Sequence, residues 1–259
     1  MNASCQKDLF PINQSMSFFK TPFYSLILIC LLAGCAPRQP SPLAQSLFIK
    51  LQQQLQVVKG IYFSGRLKVK RAGYGFAGRI EAIWTPKRVR LDIYTALGWP
   101  LFTAVKKNNT LTLFVYGSGR VYKQGQALKI LKSCLPVRLQ LEDWVRLFGC
   151  QMWYLEKERG IKQKEQFFVL SFTDKNGVLR EKIWLKRQTL KVTRIILQNA
   201  EGDWFWEVKF TYKDNKPVLA LFRDILGTSI QIDYDQVKLN PQIKDTWFVL
   251  PFPSPPRTE

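Results

Sequence analysis

The sequence contains no histidine, although it is 259 residues long. Histidine is the commonest general base and metal ligand in proteins, so its absence excludes serine-histidine triads and histidine-zinc sites. Carboxylate pairs are the remaining catalytic option, and they occur at Glu142 and Asp143 and at Asp233 and Asp235, with a further acid at Asp203. On alternating strands such side chains usually face water. We therefore predict no catalytic residue and no metal site.

The N-terminal region lacks an apolar run long enough to span a membrane. Its apolar stretch covers residues 23–33, about 11 residues, whereas a spanning helix needs about 20. Such a stretch, preceded by Lys20 and ending in Leu-Ala-Gly-Cys, is typical of an exported bacterial chain that is cut before the cysteine and lipidated on its thiol. We predict a signal peptide over residues 1–34, with Met16 as an alternative start, and a covalent lipid on Cys35 as the only added group. A secretory signal cut elsewhere and an uncleaved anchor are alternatives.

Acidic side chains are few, since 19 of them face 39 basic ones and leave a net charge of +20. Cleavage would remove Lys7, Lys20 and Asp8, so the mature chain would hold 37 basic and 18 acidic side chains, a net charge of +19. A field of that sign attracts anions. For an exported protein we expect anionic lipid or an acidic protein as partner, and no nucleic acid. Alternatively, the basic side chains only solvate the outer face of a sheet.

Cysteines are also sparse. Cys5 and Cys30 would leave with the signal peptide, and Cys134 and Cys150 would remain in a compartment that permits disulfides. A helix between them would separate its ends by roughly 15 Å, whereas a disulfide needs Cα atoms within about 7 Å. The spacing favours two separate thiols and leaves a bridge open.

The mature chain divides into three parts. Residues 35–42 form a proline-rich tether at the lipid site, residues 43–250 form one domain, and residues 251–259 form a proline-rich tail. The domain begins with an amphipathic helix, capped at Ser41, whose apolar positions recur at helical spacing up to Val58.

Strands dominate the rest of the domain. Apolar and charged residues alternate from residue 60 to residue 123, which predicts antiparallel strands with one apolar and one charged face, and Gly117-Ser118-Gly119 predicts a hairpin turn. Two short helices are predicted, over residues 127–132 and 140–149. Further strands are predicted over 152–158, 167–173, 178–186, 191–198, 204–212, 218–222 and 229–239. The total is about eleven to thirteen strands, which would curl rather than stay flat.

The apolar strand faces would line either a solid core or an acyl-binding cavity. The strand at 204–210 has a large aromatic face, because every second residue of it is apolar on the same side. The candidates for a cavity lining are Leu67, Val69, Leu91, Ile93, Trp204, Trp206, Val208 and Phe210.

One predicted turn is unusually apolar. Strand turns favour Gly, Pro, Asn, Asp and Ser, whereas residues 96–101 read Ala-Leu-Gly-Trp-Pro-Leu. An exposed Leu97 and Trp99 would cost solubility unless they met a bilayer or a partner. Alternatively, the loop folds back onto the core.

Two segments resemble a known family. Residues 90–98, Arg-Leu-Asp-Ile-Tyr-Thr-Ala-Leu-Gly, resemble the strand and following loop of the LolB outer-membrane lipoprotein receptors, within the LolA/LolB-like superfamily. Residues 135–139 and 142–149 resemble the turn and helix of the same family, and the Gly-Arg-Leu at Gly65 agrees in order. The resemblance covers roughly residues 43–250 and rests on the order of motifs that are individually weak.

The resemblance implies a mainly β fold: an incomplete antiparallel β-barrel of about 11 strands, with a helical lid enclosing a hydrophobic cavity. It implies that Leu97, with Gly98 and Trp99, forms a membrane-insertion loop. The implied protein is a non-enzymatic monomer, lipid-anchored in the outer membrane and facing the periplasm, and Ala36 after Cys35 is compatible with that location. It would accept acylated lipoprotein cargo from a soluble periplasmic LolA-like carrier. The alternative is a LolA-like envelope lipoprotein with a structural role or one that binds lipid or an anionic polymer, because the region after Pro217 departs from the receptors.

Overall fold

The computed structural model describes residues 58–134, 139–151 and 157–250, together with the helical residues Ser46 and Ile49. Thirteen strands in these segments form one antiparallel sheet. The strands are β1 Ile61–Arg71, β2 Tyr74–Thr85, β3 Arg88–Thr95, β4 Pro100–Lys107, β5 Thr110–Val115, β6 Arg120–Lys123, β7 Lys157–Gln163, β8 Phe167–Thr173, β9 Leu179–Lys186, β10 Val192–Asn199, β11 Trp204–Lys213, β12 Lys216–Asp224 and β13 Ser229–Leu239.

The first and last strands, β1 and β13, are neighbours in the middle of the sheet. Strands β1 to β6 run outwards to one edge, and β7 to β13 run from the opposite edge back to the middle, where β13 pairs with β1. The edge strands β6 and β7 are not paired with each other, so the sheet is an open, incomplete barrel. This confirms the predicted fold class, and thirteen strands is the upper end of the predicted range.

Two helices connect the two edges. Helix α1 covers Gln124–Cys134 and helix α2 covers Leu141–Phe148, close to the predicted spans. Glu142 and Asp143 lie in the first turn of α2 and Arg146 lies in its last, a charge order that suits the helix dipole. Five of the eight α2 residues are buried, and these pack the helix onto one face of the sheet, which we call the inner face.

The inner face carries the main hydrophobic core. Alternate residues of the strands, such as Ile61, Phe63, Leu91, Ile183 and Phe222, are buried there together with the apolar side of α2. The alternation of period two explains this directly, because successive side chains of a strand point to opposite faces.

Two glycines permit close approaches in this core. A Cβ on Gly149, just after α2, would lie 2.6 Å from a methyl group of Ile61, so only glycine lets the helix end against β1. A Cβ on Gly65 would collide with the backbone of Asp233, at the point where the register between β1 and β13 shifts.

The outer face is partly covered by the C-terminal segment 241–250, which contains a short 3₁₀ helix at Asp245–Phe248. Phe248 and Leu250 form a second apolar cluster with Ile83, Val105 and Phe114. The sequence predicted a charged outer face, and this apolar cluster on it was not predicted.

The predicted strands agree with the structure except near one edge. Strand β7 covers Lys157–Gln163. The strand predicted over 152–158 coincides with it at residues 157–158, and residues 152–156 lie outside the described residues. The sequence of β7, Lys-Glu-Arg-Gly-Ile-Lys-Gln, lacks apolar alternation. Its charged residues suit an edge strand, because charged side chains discourage pairing with another chain.

Several predictions lie outside the described residues. These are the signal peptide over 1–34, the lipid site at Cys35, the tether over 35–42, most of the helix that follows it, residues 135–138 of the turn segment, residues 152–156 of a predicted strand, and the tail over 251–259.

Candidate functional site

The turn between β3 and β4 projects apolar side chains into solvent. Leu97 is 87% exposed and Trp99 is 71% exposed, while Gly98 between them has a φ of +86°. The alternative that this loop folds back onto the core is therefore wrong. Positive φ is accessible to glycine without steric cost, which explains the Leu-Gly-Trp order at the tip.

Hydrogen bonds hold this turn in shape. The Thr95 amide donates to the Trp99 carbonyl at 2.8 Å, and the Gly98 amide donates to the Thr95 carbonyl at 3.0 Å. The Trp99 amide also donates to the Thr95 hydroxyl at 3.0 Å. The exposed side chains thus stand on a defined turn.

Three neighbouring turns present apolar side chains at the same end of the sheet. These turns connect β1 to β2, β12 to β13 and β10 to β11, and in the sheet order they follow the β3–β4 turn directly. We call the exposed apolar side chains that lie in these four turns, or at the first two strand residues after them, the apolar rim. Its members are Tyr74, Leu97, Trp99, Trp204, Phe205, Ile225 and Leu226.

The strand register shows that these turns share one end. Arg71 pairs with Tyr74 across the first hairpin, Lys70 pairs with Ser229 at the start of β13, and Trp206 pairs with Asp224 at the end of β12. Sequence reasoning found only the β3–β4 turn. The apolar Ile-Leu at 225–226 within a predicted turn was an available signal for another.

Basic side chains stand directly behind the rim. Lys70, Arg71 and Arg223 are exposed beside the tips of two turns, and within the described segments no ion pair involves them. Asp224, by contrast, is occupied by its own turn, because its Oδ1 accepts the amides of Leu226 at 2.9 Å and Thr228 at 2.8 Å.

The predicted cavity-lining residues lie in the main core, with one exception. Seven of them are at most 6% exposed: Leu67, Val69, Leu91, Ile93, Trp206, Val208 and Phe210. The eighth, Trp204, is 43% exposed and belongs to the apolar rim.

Helix α2 occupies the middle of the inner face. Its Trp144 and Phe148 rings lie 4.4 Å apart between centroids, and the Phe148 ring lies 6.3 Å from that of Phe222 on β12. The Tyr234 hydroxyl on β13 donates to the Phe148 carbonyl at 2.5 Å. The predicted helical lid thus packs directly against the sheet at this point.

A leucine-lined pocket opens beside the two helices. It has a volume of about 480 Å³ and lies between α1, the start of α2 and the strands β4 and β5. Its apolar lining is Leu111, Leu128, Leu131, Leu139 and Leu141. Lys106 and Glu142, which form an ion pair, are polar members of the same wall. Ligand pockets commonly have volumes of about 300–1,000 Å³.

The outer face holds a more polar pocket of about 740 Å³ under the C-terminal segment. Arg90 donates to both carboxylate oxygens of Asp92, at 2.6 and 2.9 Å, and also to the Trp247 carbonyl at 2.8 Å. Burial, and then the charge of Asp92, raises the pKa of Glu81 in this pocket. Arg90 therefore ties the C-terminal segment to the sheet.

Cys150 carries a free thiol, and the Cys134 side chain lies outside the described residues. Burial raises the pKa of the Cys150 thiol to about 12. The thiol lies 4.0 Å from the Tyr234 hydroxyl, whose pKa burial also raises. A thiol with so high a pKa is almost wholly protonated near neutral pH and is a poor nucleophile.

Two features are absent from the described segments. They contain no group of three or more Cys, Asp or Glu residues able to hold a metal ion. Among their helices, none is both long and apolar enough to cross a membrane.

Comparison with known proteins finds likeness in structure rather than in sequence. No protein-family model matches the chain, and no curated protein sequence matches it.

Solved structures do match. A putative outer-membrane lipoprotein-sorting protein domain from Vibrio parahaemolyticus aligns with a TM-score of 0.53 at 12% identity, over 79% of this chain and 95% of that one. A LolA superfamily protein from Nitrosomonas europaea aligns with a TM-score of 0.53 at 14% identity, over 80% and 97% of the two chains. A DUF1329 family protein from Desulfovibrio piger aligns with a TM-score of 0.54 at 13% identity, over 79% and 95%. The chain therefore has the fold of LolA superfamily proteins.

Proposed function

We propose that the protein is a lipid-anchored envelope receptor that accepts acylated lipoproteins from a soluble periplasmic LolA-like carrier and inserts them into the outer membrane. Cys35 would carry the anchor. Two of the similar structures are described as a lipoprotein-sorting domain and a LolA superfamily protein, and these descriptions support a role in the envelope.

The observation that carries the proposal is Leu97. Leu97 is 87% exposed at the tip of a hydrogen-bonded turn, so its side chain loses little contact with water when the protein folds. It gains free energy on entering a bilayer, since apolar burial is worth about 25 cal/mol per Å². The β3–β4 turn would thus bring the receptor against the membrane that receives the cargo.

Transfer of this kind needs no covalent chemistry. Exposing an acyl chain to water costs about 0.8 kcal/mol per CH₂, and a handover between apolar surfaces avoids that cost. The leucine-lined pocket beside α1 and α2 supplies such a surface. The seven core residues would contribute only if α2 moved, because α2 now covers the middle of the inner face.

A transfer assay tests the proposal. Membranes carrying the receptor are incubated with a carrier loaded with acylated lipoprotein, and cargo in the membrane fraction is measured. We expect Leu97→Glu to fold normally and to lose most delivery, because a carboxylate does not enter the bilayer. Leu239→Glu is the matched control, since Leu239 is also exposed but lies at the other end of β13. Normal delivery by Leu97→Glu would contradict the proposal.

A second function is favoured by the filled inner face. Trp144 and Phe148 are essentially inaccessible to solvent beneath the sheet, as in a protein whose core holds no ligand. This favours an envelope lipoprotein that has a structural role or binds lipid or an anionic polymer through its basic surface. Native mass spectrometry of the Cys35→Ser chain distinguishes the two functions. Co-purified acyl chains favour transfer, and a chain without affinity for acyl lipids favours the second function.

A further inference from the structure

We propose that the whole apolar rim, not the β3–β4 turn alone, docks onto the surface of an anionic phospholipid bilayer. This inference deepens the proposed function, on which it rests for the membrane location. It adds three turns and five side chains to the contact: Tyr74, Trp204, Phe205, Ile225 and Leu226.

Adjacency is the first argument. The four turns join the consecutive strand pairs β4-β3, β2-β1, β13-β12 and β11-β10. With neighbouring strands about 4.8 Å apart, eight strands span roughly 35 Å along the sheet. A row of that length can meet a flat surface at several points, so that each turn adds to the binding of the others.

Side-chain chemistry is the second argument. The rim holds two tryptophans, one tyrosine and one phenylalanine besides its aliphatic residues. Tryptophan and tyrosine are enriched where a protein crosses the membrane-water interface, because their rings are apolar at one side and polar at the other. A protein-protein contact would also accept these residues, and charge decides between the two.

Charge is the third argument, and it applies to part of the rim. Lys70 and Arg71 precede the β1–β2 turn and Arg223 precedes the β12–β13 turn, whereas the β10–β11 turn carries the exposed acidic residues Glu201 and Asp203. Basic groups just behind apolar tips reach the headgroup layer when the tips are inserted, and each is worth roughly fivefold in affinity for an anionic leaflet. The net charge of +20 adds a long-range attraction of the same sign.

Preformed turns are the fourth argument. In the β10–β11 turn, the Asn199 Oδ1 accepts the amides of Gly202 and Asp203 at 2.8 and 2.7 Å. The Asp224 carboxylate holds the β12–β13 turn in the same way. The tips can therefore insert without first paying the entropy of ordering a loop.

Vesicle flotation tests the inference. The full chain carrying Cys35→Ser, so that no acyl anchor contributes, is mixed with phosphatidylcholine vesicles with or without phosphatidylglycerol. One variant combines Trp204→Ser with Phe205→Ser, and another combines Ile225→Ser with Leu226→Ser. The matched control combines Leu239→Ser with Val249→Ser, which are equally exposed but lie outside the rim. The apolar stretch 23–33 is common to all four proteins, so differences among them report on the substituted positions.

We expect both rim variants to weaken binding to the anionic vesicles at least about tenfold and the control to bind like the parent chain. Circular dichroism shows whether each variant is folded. If both rim variants bind like the parent while Leu97→Glu binds weakly, the inference that the whole rim docks is overturned. The proposed function, which depends on Leu97, then stands. If the parent chain does not bind anionic vesicles, or binds neutral ones equally well, the inference is also overturned. In that case the transfer assay with Leu97→Glu still decides the proposed function separately.

Discussion

The two ends of the sheet carry turns of opposite character. At the end opposite the rim, the turns between consecutive strands consist mainly of polar residues, at 86–87, 108–109, 164–166, 187–191 and 214–215. The apolar Leu190 among them is half-buried and packs against the core. At the rim end, four neighbouring turns expose aromatic and aliphatic side chains. The two turns that flank them at this end, at 116–119 and 174–178, consist mainly of glycine and polar residues, and Val178 is exposed in the second.

Charge does not distinguish the two ends, because both carry exposed basic side chains such as Lys70 and Arg71 at one and Lys213 and Lys216 at the other. What differs is the apolar tip. Exposed apolar side chains add little to folding free energy, so their concentration at one end points to a contact made there.

The first prediction compares two tryptophans on the same strand. Trp206 is 6% exposed in the main core and Trp204 is 43% exposed in the rim. We expect Trp206→Ala to lower the free energy of unfolding by about 3–5 kcal/mol, and Trp204→Ala by less than about 1 kcal/mol. Urea denaturation followed by circular dichroism measures both.

Equal losses from the two substitutions would mean that Trp204 belongs to the core and that the rim is smaller than we describe. Vesicle binding should show the opposite order. It should fall for Trp204→Ala, and for Trp206→Ala it should stay unchanged as long as that protein is folded.

The second prediction separates basic groups at the two ends. Neutralising Lys70, Arg71 and Arg223 to Gln should lower affinity for anionic vesicles about fivefold per charge, roughly a hundredfold in all. The matched triple, Lys87, Lys213 and Lys216 to Gln, should change it less than about twofold, because an 11-residue strand such as β1 spans about 36 Å, several Debye lengths of about 8 Å. Titration at two salt concentrations checks the electrostatic origin. Equal effects of the two triples would show that the protein does not meet the bilayer by one end.

The third prediction concerns how a rim turn is held. Asp224→Ala removes the acceptor of the Leu226 and Thr228 amides, and we expect a loss of about 1 kcal/mol in the free energy of unfolding. Asp224→Asn keeps an acceptor oxygen and should lose less than half of that. Chemical denaturation measures both, and equal stability of the two variants would argue that this turn does not need its cap.

Much of the fold could be predicted from the sequence because antiparallel strands and hairpins are encoded locally. The alternation of Leu67 and Val69 with charged residues predicts β1, and the spans predicted at 167–173 and 229–239 coincide with β8 and β13. Most of strand β7, residues 159–163, was not predicted, because its pairing comes from β8 and its own sequence carries no apolar period. The C-terminal segment that covers part of the outer face was not predicted. Its apolar residues Phe248 and Leu250 follow the last strand and belong to no helical or strand periodicity.

The candidate site could be predicted only in part. Leu97 and Trp99 were identified because apolar residues are out of place in a turn. The apolar alternation of strand 204–210 assigned Trp204 to the inner face. Trp204 is the first residue of β11, and it is partly exposed there. The four rim turns lie side by side only because β1 pairs with β13. These two strands are more than 150 residues apart in sequence, so no local sequence pattern predicts their pairing.

Quenching of tryptophan fluorescence by brominated lipids measures whether the rim tips enter the bilayer. All eight tryptophans lie beyond residue 80, so none belongs to the N-terminal apolar stretch. Trp99→Phe combined with Trp204→Phe keeps the rim apolar but removes its indoles. We predict that brominated anionic vesicles quench the share of the parent chain's emission that comes from Trp99 and Trp204, and leave the emission of the double variant nearly unchanged. Equal fractional quenching of the two proteins at equal binding would contradict entry of the rim tips into the bilayer.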